Sequence, residues 1–242
     1  MKVIDANKLK TAQNEKFKYK IEDYLRNAFS IYSKHWLEFS LYSLIAFILL
    51  SLSIFTIIGP YLIYYPLLMG YCRVTEKIEN DESFVFSDFF IGFNKWNRFL
   101  GLIALVMVIS FGIISPYIFT ILNLETDGLI NTTVGLYSLA FIPFYCIFMI
   151  VFSVLIFLAP YILYFDDNIS FSESLRLSYL IAKKNFWSIL IFLILIGIIF
   201  QFGFYLFFIF AFVTIPIACI MSYLFVKDLL LVSDRELNII VD

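Results

Sequence analysis

Residues 185–226 read NFWSILIFLILIGIIFQFGFYLFFIFAFVTIPIACIMSYLFV and contain no Asp, Glu, Lys, Arg or His. A membrane-spanning helix needs about 20 consecutive apolar residues, so this stretch is long enough for two helices joined by a tight turn. Residues 39–75 form a second stretch of that kind, with Arg73 as their one charge, while residues 99–124 and 128–165 carry none. The sequence therefore predicts an all-α integral membrane protein.

The overall composition supports the same fold class. Of the 242 residues, 62% are hydrophobic and 15% are charged, and the mean hydropathy is +0.92. Soluble domains are closer to half apolar and a quarter charged. A water-soluble domain of this size could not bury so much apolar surface, so we expect the bilayer to be its solvent.

The basic residues predict the topology. All 17 Lys and Arg residues lie in residues 1–36, 72–98, 165–187 and the C-terminal segment 227–235. Because basic residues favour the cytoplasmic side of a membrane, we predict that all four segments and both termini are cytoplasmic. This arrangement requires six spans, with residues 128–141 as an external or interfacial lead-in to the fourth. The predicted spans lie near residues 37–57, 60–78, 99–122, 142–164, 187–205 and 209–229.

Three amphipathic segments, residues 21–36, 86–98 and 171–185, precede spans. Apolar residues at helical spacing predict that each lies in the headgroup plane with its apolar side toward the membrane. Two of the predicted apolar stripes are Ile21, Tyr24, Leu25, Ala28, Phe29, Tyr32 and Trp36 in the first segment, and Phe171, Leu175, Tyr179, Ala182 and Phe186 in the third. We predict three tandem units, each an amphipathic helix followed by two spans.

A shift of 150 residues supports the repeat. Several basic and proline positions of the first unit recur in the last one: Arg26 with Arg176, Lys34 with Lys184, Pro66 with Pro216 and Lys77 with Lys227. The resulting organisation is a lysine-rich, disordered cytoplasmic tail over residues 1–20, one transmembrane domain over residues 21–232 and a cytoplasmic tail over residues 233–242.

Residues with catalytic potential are scarce. The apolar runs hold no ionisable acid or base of the kind that ion-coupled transporters use, and no Ser-His-Asp, HExxH or Gly-rich phosphate motif occurs. We therefore predict no catalytic, cofactor-binding or metal site, and no enzyme activity. Asp166, Asp167 and Glu173 are interpreted as acids of a solvated linker near a helix N-terminus rather than as a cation site.

Two kinds of contact are nevertheless predicted. Basic residues and tryptophans at the ends of the amphipathic segments are candidate contacts for lipid headgroups: Lys34, Arg98, Lys183, Lys184, Trp36, Trp96 and Trp187. The basic members of this set also serve as orientation signals. Gln201 is the most polar group within a predicted span, and we expect it to make a hydrogen bond between helices.

Two runs resemble a known pattern. One extends from Pro160 through FDD (165–167) and SESL (172–175) to Trp187, and the other from Gly70 to FSDFFIGF (86–93). Both are similar to runs in six-span bacterial membrane proteins of unknown function, related to the membrane domain that accompanies some glycerophosphodiester phosphodiesterases. The resemblance covers about residues 20–232 and implies a fold and a membrane location. The phosphodiesterase catalytic domain has no counterpart here, so no catalytic residue is implied.

These observations favour a multi-pass protein of the plasma or inner membrane that acts as an accessory or interaction subunit of a membrane assembly. Its expected partners are membrane lipids and either another protein or a second copy of the chain, and no nucleic acid is expected. The alternative is a transporter or channel component for a neutral or lipid-like substrate. A cavity lined by Gln201 and the span serines would favour that alternative, and a closed apolar interior would exclude it.

Overall fold

The structure is a computed structural model that describes residues 20–56, 58–127, 132–205 and 210–235. These ranges are mostly helical and contain no strand. The helices are α1 (Ile21–Lys34), α2 (Trp36–Ser53), α3 (Gly59–Glu79), a 3₁₀ helix (Phe86–Lys95), α4 (Trp96–Asp127), α5 (Thr132–Ile156), α6 (Ala159–Phe165), α7 (Phe171–Lys184), α8 (Phe186–Tyr205) and α9 (Ala211–Arg235). The predicted tails lie outside the described ranges, apart from the first residues of the C-terminal tail.

Five segments of the described chain are long and apolar enough to cross a membrane. They are Trp36–Ser53, Phe86–Gly112, Ile142–Phe165, Phe186–Gly203 and Ala211–Leu230. This is compatible with a multi-pass membrane protein. The predicted span at residues 60–78 forms α3 but is not among the five, because its tyrosines, prolines and charged last turns make it less apolar. The prediction of six spans is therefore not confirmed.

Helix α9 forms the centre of the bundle, and it packs against α1, α2, α3 and α8. In its apolar stretch, Ala211–Leu230, 72% of the residues are buried. The rings of Phe192 on α8 and Phe225 on α9 stack with their centroids 4.0 Å apart. Helix α9 is therefore shielded from the surroundings mainly by other helices.

The 3₁₀ helix packs closely on α3. A Cβ atom added at Gly70 would clash with the carbonyl oxygen of Phe89, and one added at Gly92 would clash with that of Pro66. Glycine is needed at both positions so that the two backbones can touch. Phe89 is fully buried, with its ring centroid 5.3 Å from that of Phe39. The predicted amphipathic segment 86–98 thus consists of this 3₁₀ helix and the start of α4, and its position in the headgroup plane stays a prediction.

The fourth predicted span, residues 142–164, corresponds to the membrane-compatible segment Ile142–Phe165. Residues 132–141 are helical and belong to α5; their place as a lead-in outside the span stays a prediction, and residues 128–131 lie outside the described ranges. Pro143 lies inside α5, as membrane helices allow because neighbouring groups satisfy the freed backbone carbonyl. The helix breaks after Ile156, and α6 begins with Pro160 in its first turn.

The amphipathic helices α1 and α7 pack on the bundle by faces that coincide only in part with the stripes predicted to face the membrane. Helix α1 buries Tyr24, Ala28 and Tyr32 and leaves the stripe residues Leu25 and Phe29 exposed. Helix α7 buries a face that shares only Ala182 with its stripe: Ser174, Leu177, Ser178, Ile181 and Ala182. Contact of the stripes with the membrane stays a prediction. The Ser170 hydroxyl caps α7, since it accepts a hydrogen bond of 3.3 Å from the Glu173 amide.

Candidate ligand cavity

A cavity of about 500 Å³ lies between the helices. Residues of α2, α3, α4, α5, α6, α8 and α9 line it. Pockets that hold small ligands have volumes of about 300–1,000 Å³. The bundle therefore contains a space of ligand size between these helices.

The walls of this cavity are mostly apolar. Aromatic and aliphatic side chains supply the larger part of the lining, among them Phe47, Leu50, Met149, Phe152, Phe157, Ile196 and Phe200. None of the lining residues in the described ranges is Asp, Glu, Lys, Arg or His. A charged ligand would find no counter-ion among these walls, and burying an unpaired charge is costly. The cavity therefore suits a neutral molecule.

Ser43 and Tyr71 form the first polar pair of the lining. The Ser43 hydroxyl donates to the carbonyl oxygen of Phe39 at 2.8 Å. The Ser43 Oγ and Tyr71 phenol oxygens are 2.7 Å apart. Because a serine hydroxyl has one proton and this proton is used on Phe39, the Tyr71 phenol must donate to Ser43 Oγ. The Tyr71 oxygen keeps its capacity to accept a hydrogen bond.

Tyr161 and Ser222 form the second pair. The Ser222 hydroxyl donates to the carbonyl oxygen of Ala218 at 2.8 Å, so its one proton is used on the backbone. Tyr161 and Ser222 both line the cavity, and the Tyr161 phenol interacts with Ser222. A phenol oxygen can accept a hydrogen bond. The two pairs are therefore polar groups in an otherwise apolar lining.

One end of the bundle carries a set of ion pairs, here called the charged rim. The Lys77 Nζ atom is 2.7 Å from Asp88 Oδ2, and the Lys227 Nζ atom is 2.7 Å from Glu79 Oε2. These bonds tie the end of α3 to the 3₁₀ helix and to α9. Asp88 also accepts a hydrogen bond of 2.8 Å from the Val85 amide.

Asp167 is the second anchor of the charged rim. Its Oδ1 atom accepts hydrogen bonds from Lys95 at 2.8 Å and from Arg98 at 2.7 Å. The bond from Lys95 contributes most to lowering the pKa of Asp167, against a smaller opposing effect of desolvation. The neighbouring Asp166 is buried and accepts a bond from the Asn168 amide at 2.9 Å. The interpretation as a solvated linker acid is therefore wrong for Asp166, whereas Asp167 is exposed.

The predicted headgroup contacts lie at several places on the surface. Lys34 and Lys183 are exposed near the C-terminal ends of α1 and α7, and Lys184 is half-buried. Trp36, Trp96 and Trp187 are all exposed. Arg98 differs from the rest, because it also donates a 2.7 Å bond to the carbonyl oxygen of Ile169. Its guanidinium is thus engaged within the protein, while lipid contact by the other residues stays a prediction.

Gln201 is exposed on α8 and does not line the cavity, so its interhelical contact also stays a prediction. The polar region consists instead of Ser43, Tyr71, Tyr161 and Ser222. The sequence analysis had not singled these residues out as a site. A tyrosine or serine inside an apolar run is the available signal, but it does not tell which of the many such residues face one another.

Metal ligation has no support in the described residues, where no three His, Cys, Asp or Glu side chains are grouped to hold an ion. Comparison of the chain with known protein families, with curated proteins and with solved structures finds no match. The resemblance to six-span bacterial membrane proteins therefore stays a prediction.

Proposed function

We propose that this protein is a multi-pass membrane protein that binds a neutral, lipid-like molecule in the cavity between its helices. The observation that carries the proposal is a space of about 500 Å³ with apolar walls and no ionisable side chain among its described lining residues. This favours the function that sequence analysis gave as the alternative, a transporter or channel component for a neutral or lipid-like substrate. Binding in the cavity is the first step of any such transfer.

The selectivity of such a site rests on packing and hydrogen bonds. Hydrocarbon gains little by moving from lipid tails into an equally apolar cavity, since the hydrophobic effect does not separate the two environments. Shape complementarity to the ring-lined walls and bonds to the hydroxyl groups must therefore distinguish the ligand from bulk lipid. The hydroxyl pairs Ser43–Tyr71 and Tyr161–Ser222 are the available polar partners.

We propose further that the cavity forms between repeated units and that both termini are cytoplasmic. The bounds of α1 and α7, Ile21–Lys34 and Phe171–Lys184, are 150 residues apart at both ends. Buried positions recur at the same shift: Tyr24 with Ser174, Ala28 with Ser178, Phe39 with Ile189, and Tyr42 with Phe192. These matches support a repeat of α1–α3 by α7–α9. The Lys and Arg residues of the charged rim support a cytoplasmic position of this rim, because basic residues favour the cytoplasmic side of a membrane.

A cavity-filling substitution tests the binding proposal. Ala46 is buried in the cavity lining, and Ala46→Phe would place a ring in the space. Ala104 is exposed on α4 and outside the lining, so Ala104→Phe is a matched control. We expect lipid that co-purifies with the wild-type protein and with Ala104→Phe to be depleted from Ala46→Phe, as measured by mass spectrometry of extracts from protein purified in mild detergent.

Equal lipid content in the three proteins would contradict the proposal. Circular dichroism and gel filtration of each variant separate loss of ligand from loss of fold. If Ala46→Phe does not fold, Ala46→Leu fills less of the cavity and gives the same comparison.

The accessory-subunit function is the second candidate, and the outward face of α7 favours it. Glu173, Arg176 and Lys183 are exposed there beside the exposed ring of Tyr179. Such a mixed surface suits a protein partner better than a hydrocarbon environment. Affinity purification of the full chain in mild detergent should recover a stoichiometric partner that is lost with Arg176→Glu, and a monomer free of partners would contradict this candidate.

A further inference from the structure

We infer that the ligand of the cavity is a neutral lipid whose polar head is a hydroxyl group, and that this hydroxyl donates to the phenol oxygens of Tyr71 and Tyr161. The inference rests on the proposed function, because it assigns a chemical class to the molecule in that cavity. It follows from the direction of the hydrogen bonds in the polar region.

The protons of the Ser43–Tyr71 pair are already used. Ser43 donates to a backbone carbonyl one turn earlier in its own helix, as Ser222 does in α9. Tyr71 donates to Ser43 Oγ. The pair therefore presents the Tyr71 oxygen to the cavity as an acceptor, and neither of its two protons is left to donate. The Tyr161 oxygen, in the lining beside Ser222, can accept in the same way.

An alcohol and an ether or ester differ sharply at such a site. An alcohol adds a hydrogen bond by donating to a phenol oxygen, and the existing bonds remain. At the Ser43–Tyr71 pair, a group that only accepts gains a bond only if the Tyr71 phenol rotates away from Ser43, so one bond replaces another. One additional neutral hydrogen bond corresponds to about a two- to tenfold change in Kd.

The other lining residues indicate what charge and what hydrocarbon part the ligand can have. With no ionisable residue among the described lining, a phosphate or ammonium head would be buried unpaired. The aromatic walls, such as Phe152 and Phe200, suit hydrocarbon. Long-chain alcohols fit this description, and charged phospholipids do not.

The test compares two probes of equal chain length, 1-hexadecanol and its methyl ether, which accepts a hydrogen bond but cannot donate one. Tritiated hexadecanol is bound to the purified full-length protein in detergent micelles and displaced by either probe. Partition of each probe into empty micelles is measured separately and used to correct the affinities. We expect the alcohol to bind about two- to tenfold more tightly than the ether.

Variants locate the preference. Tyr71→Phe combined with Tyr161→Phe should bring the corrected ratio of the two affinities close to one. Tyr42→Phe is the matched control, because Tyr42 is buried beside Tyr71 but its phenol donates to the carbonyl oxygen of Leu67 and does not line the cavity. This control should keep the wild-type ratio.

The outcomes separate the two proposals. Equal corrected affinities in the wild-type protein, with Ala46→Phe abolishing both, would overturn the hydroxyl assignment and leave the proposed function standing. The same would follow if the preference persisted in the double variant. Binding of neither probe would overturn the hydroxyl assignment together with the proposed lipid-binding function.

Discussion

Replacing Gly92 by alanine tests whether contact between backbones holds the 3₁₀ helix on α3. The added Cβ would clash with the carbonyl oxygen of Pro66 and lie 2.9 Å from both its carbonyl carbon and its Cα atom. Ordinary contacts of a Cβ atom are 3.4–4 Å, so the two backbones must move apart, as in an overpacked core. A side chain could rotate away from the new methyl group, but a backbone cannot.

The expected loss of stability is that of an overpacked core, about 1–3 kcal/mol. The separation also loosens the packing of Phe89, which is fully buried and stacks on Tyr42 with the ring centroids 4.4 Å apart. For a protein of this size, each kcal/mol corresponds to about 2–4 °C in Tm. We therefore expect Gly92→Ala to lower Tm by several degrees.

The matched control is Gly197→Ala on α8, where an added Cβ would meet no atom within 4 Å. Removing a glycine from a helix interior stabilises the helix by about 0.5–1 kcal/mol when space is available. The same substitution should therefore have opposite signs at the two sites. Unfolding is followed by circular dichroism at 222 nm in mixed micelles. Wild-type stability of Gly92→Ala, or an equal loss in Gly197→Ala, would refute the close-packing explanation.

Two further sites give predictions at the charged rim and on α1. Asp167→Asn should lower the free energy of unfolding by less than about 1 kcal/mol, because 67% of this side chain is exposed and exposed ion pairs are screened. The control Asp81→Asn, at another exposed position, should have no effect in the same unfolding assay. Because the pKa of Asp167 is lowered on folding, its contribution is present above the ordinary aspartate pKa of about 3.9 and is lost as pH falls through the lower folded value. The difference between wild type and Asp167→Asn should accordingly shrink below about pH 4, and a difference that grows there would contradict this sign. Tyr24→Phe removes a 2.9 Å bond to Asp228 that ties α1 to α9, so amide hydrogen exchange in α1 should speed up by about tenfold or more, whereas Tyr179→Phe on the exposed face of α7 should not change it.

The sequence predicted the first helices well. The amphipathic segment 21–36 and the span 37–57 correspond to α1 and α2, Ile21–Lys34 and Trp36–Ser53. A change from a 3.6-residue apolar period to a continuous apolar run marks this boundary. Such local signals depend on neighbouring residues only and can be read from one chain.

The helix faces that pack on other helices were predicted less well. In α7 the large residues Leu175 and Tyr179 form part of the stripe predicted to face the membrane, whereas Ser174 and Ser178 lie on the face buried in the bundle. The Ser178 hydroxyl donates to the carbonyl oxygen of Leu155 at 2.6 Å, near the C-terminal end of α5. Small hydroxyl residues permit close approach and satisfy a carbonyl at a helix end, and a hydropathy pattern cannot detect this advantage.

Long-range pairs were not predictable for a different reason. Arg98 and Asp167 are 69 residues apart in the chain, and each has a plausible local role at a membrane surface. Only the position of α4 beside the turn between α6 and α7 brings them within 2.7 Å. The charge pattern thus predicted that both residues lie near water but could not show that they bind each other.

Helix α3 connects these limits to the proposed function. Its moderate polarity kept it out of the set of membrane-compatible segments, yet it packs against the 3₁₀ helix, α2, α4 and α9. Polar residues of membrane helices face the interior of the bundle, and a helix surrounded by protein is released from the need for an apolar surface. Tyr71 on α3 occupies such an interior position and contributes a phenol to the cavity. The low apolarity of α3 therefore fits its place beside a polar region of the bundle, and its crossing of the membrane stays a prediction.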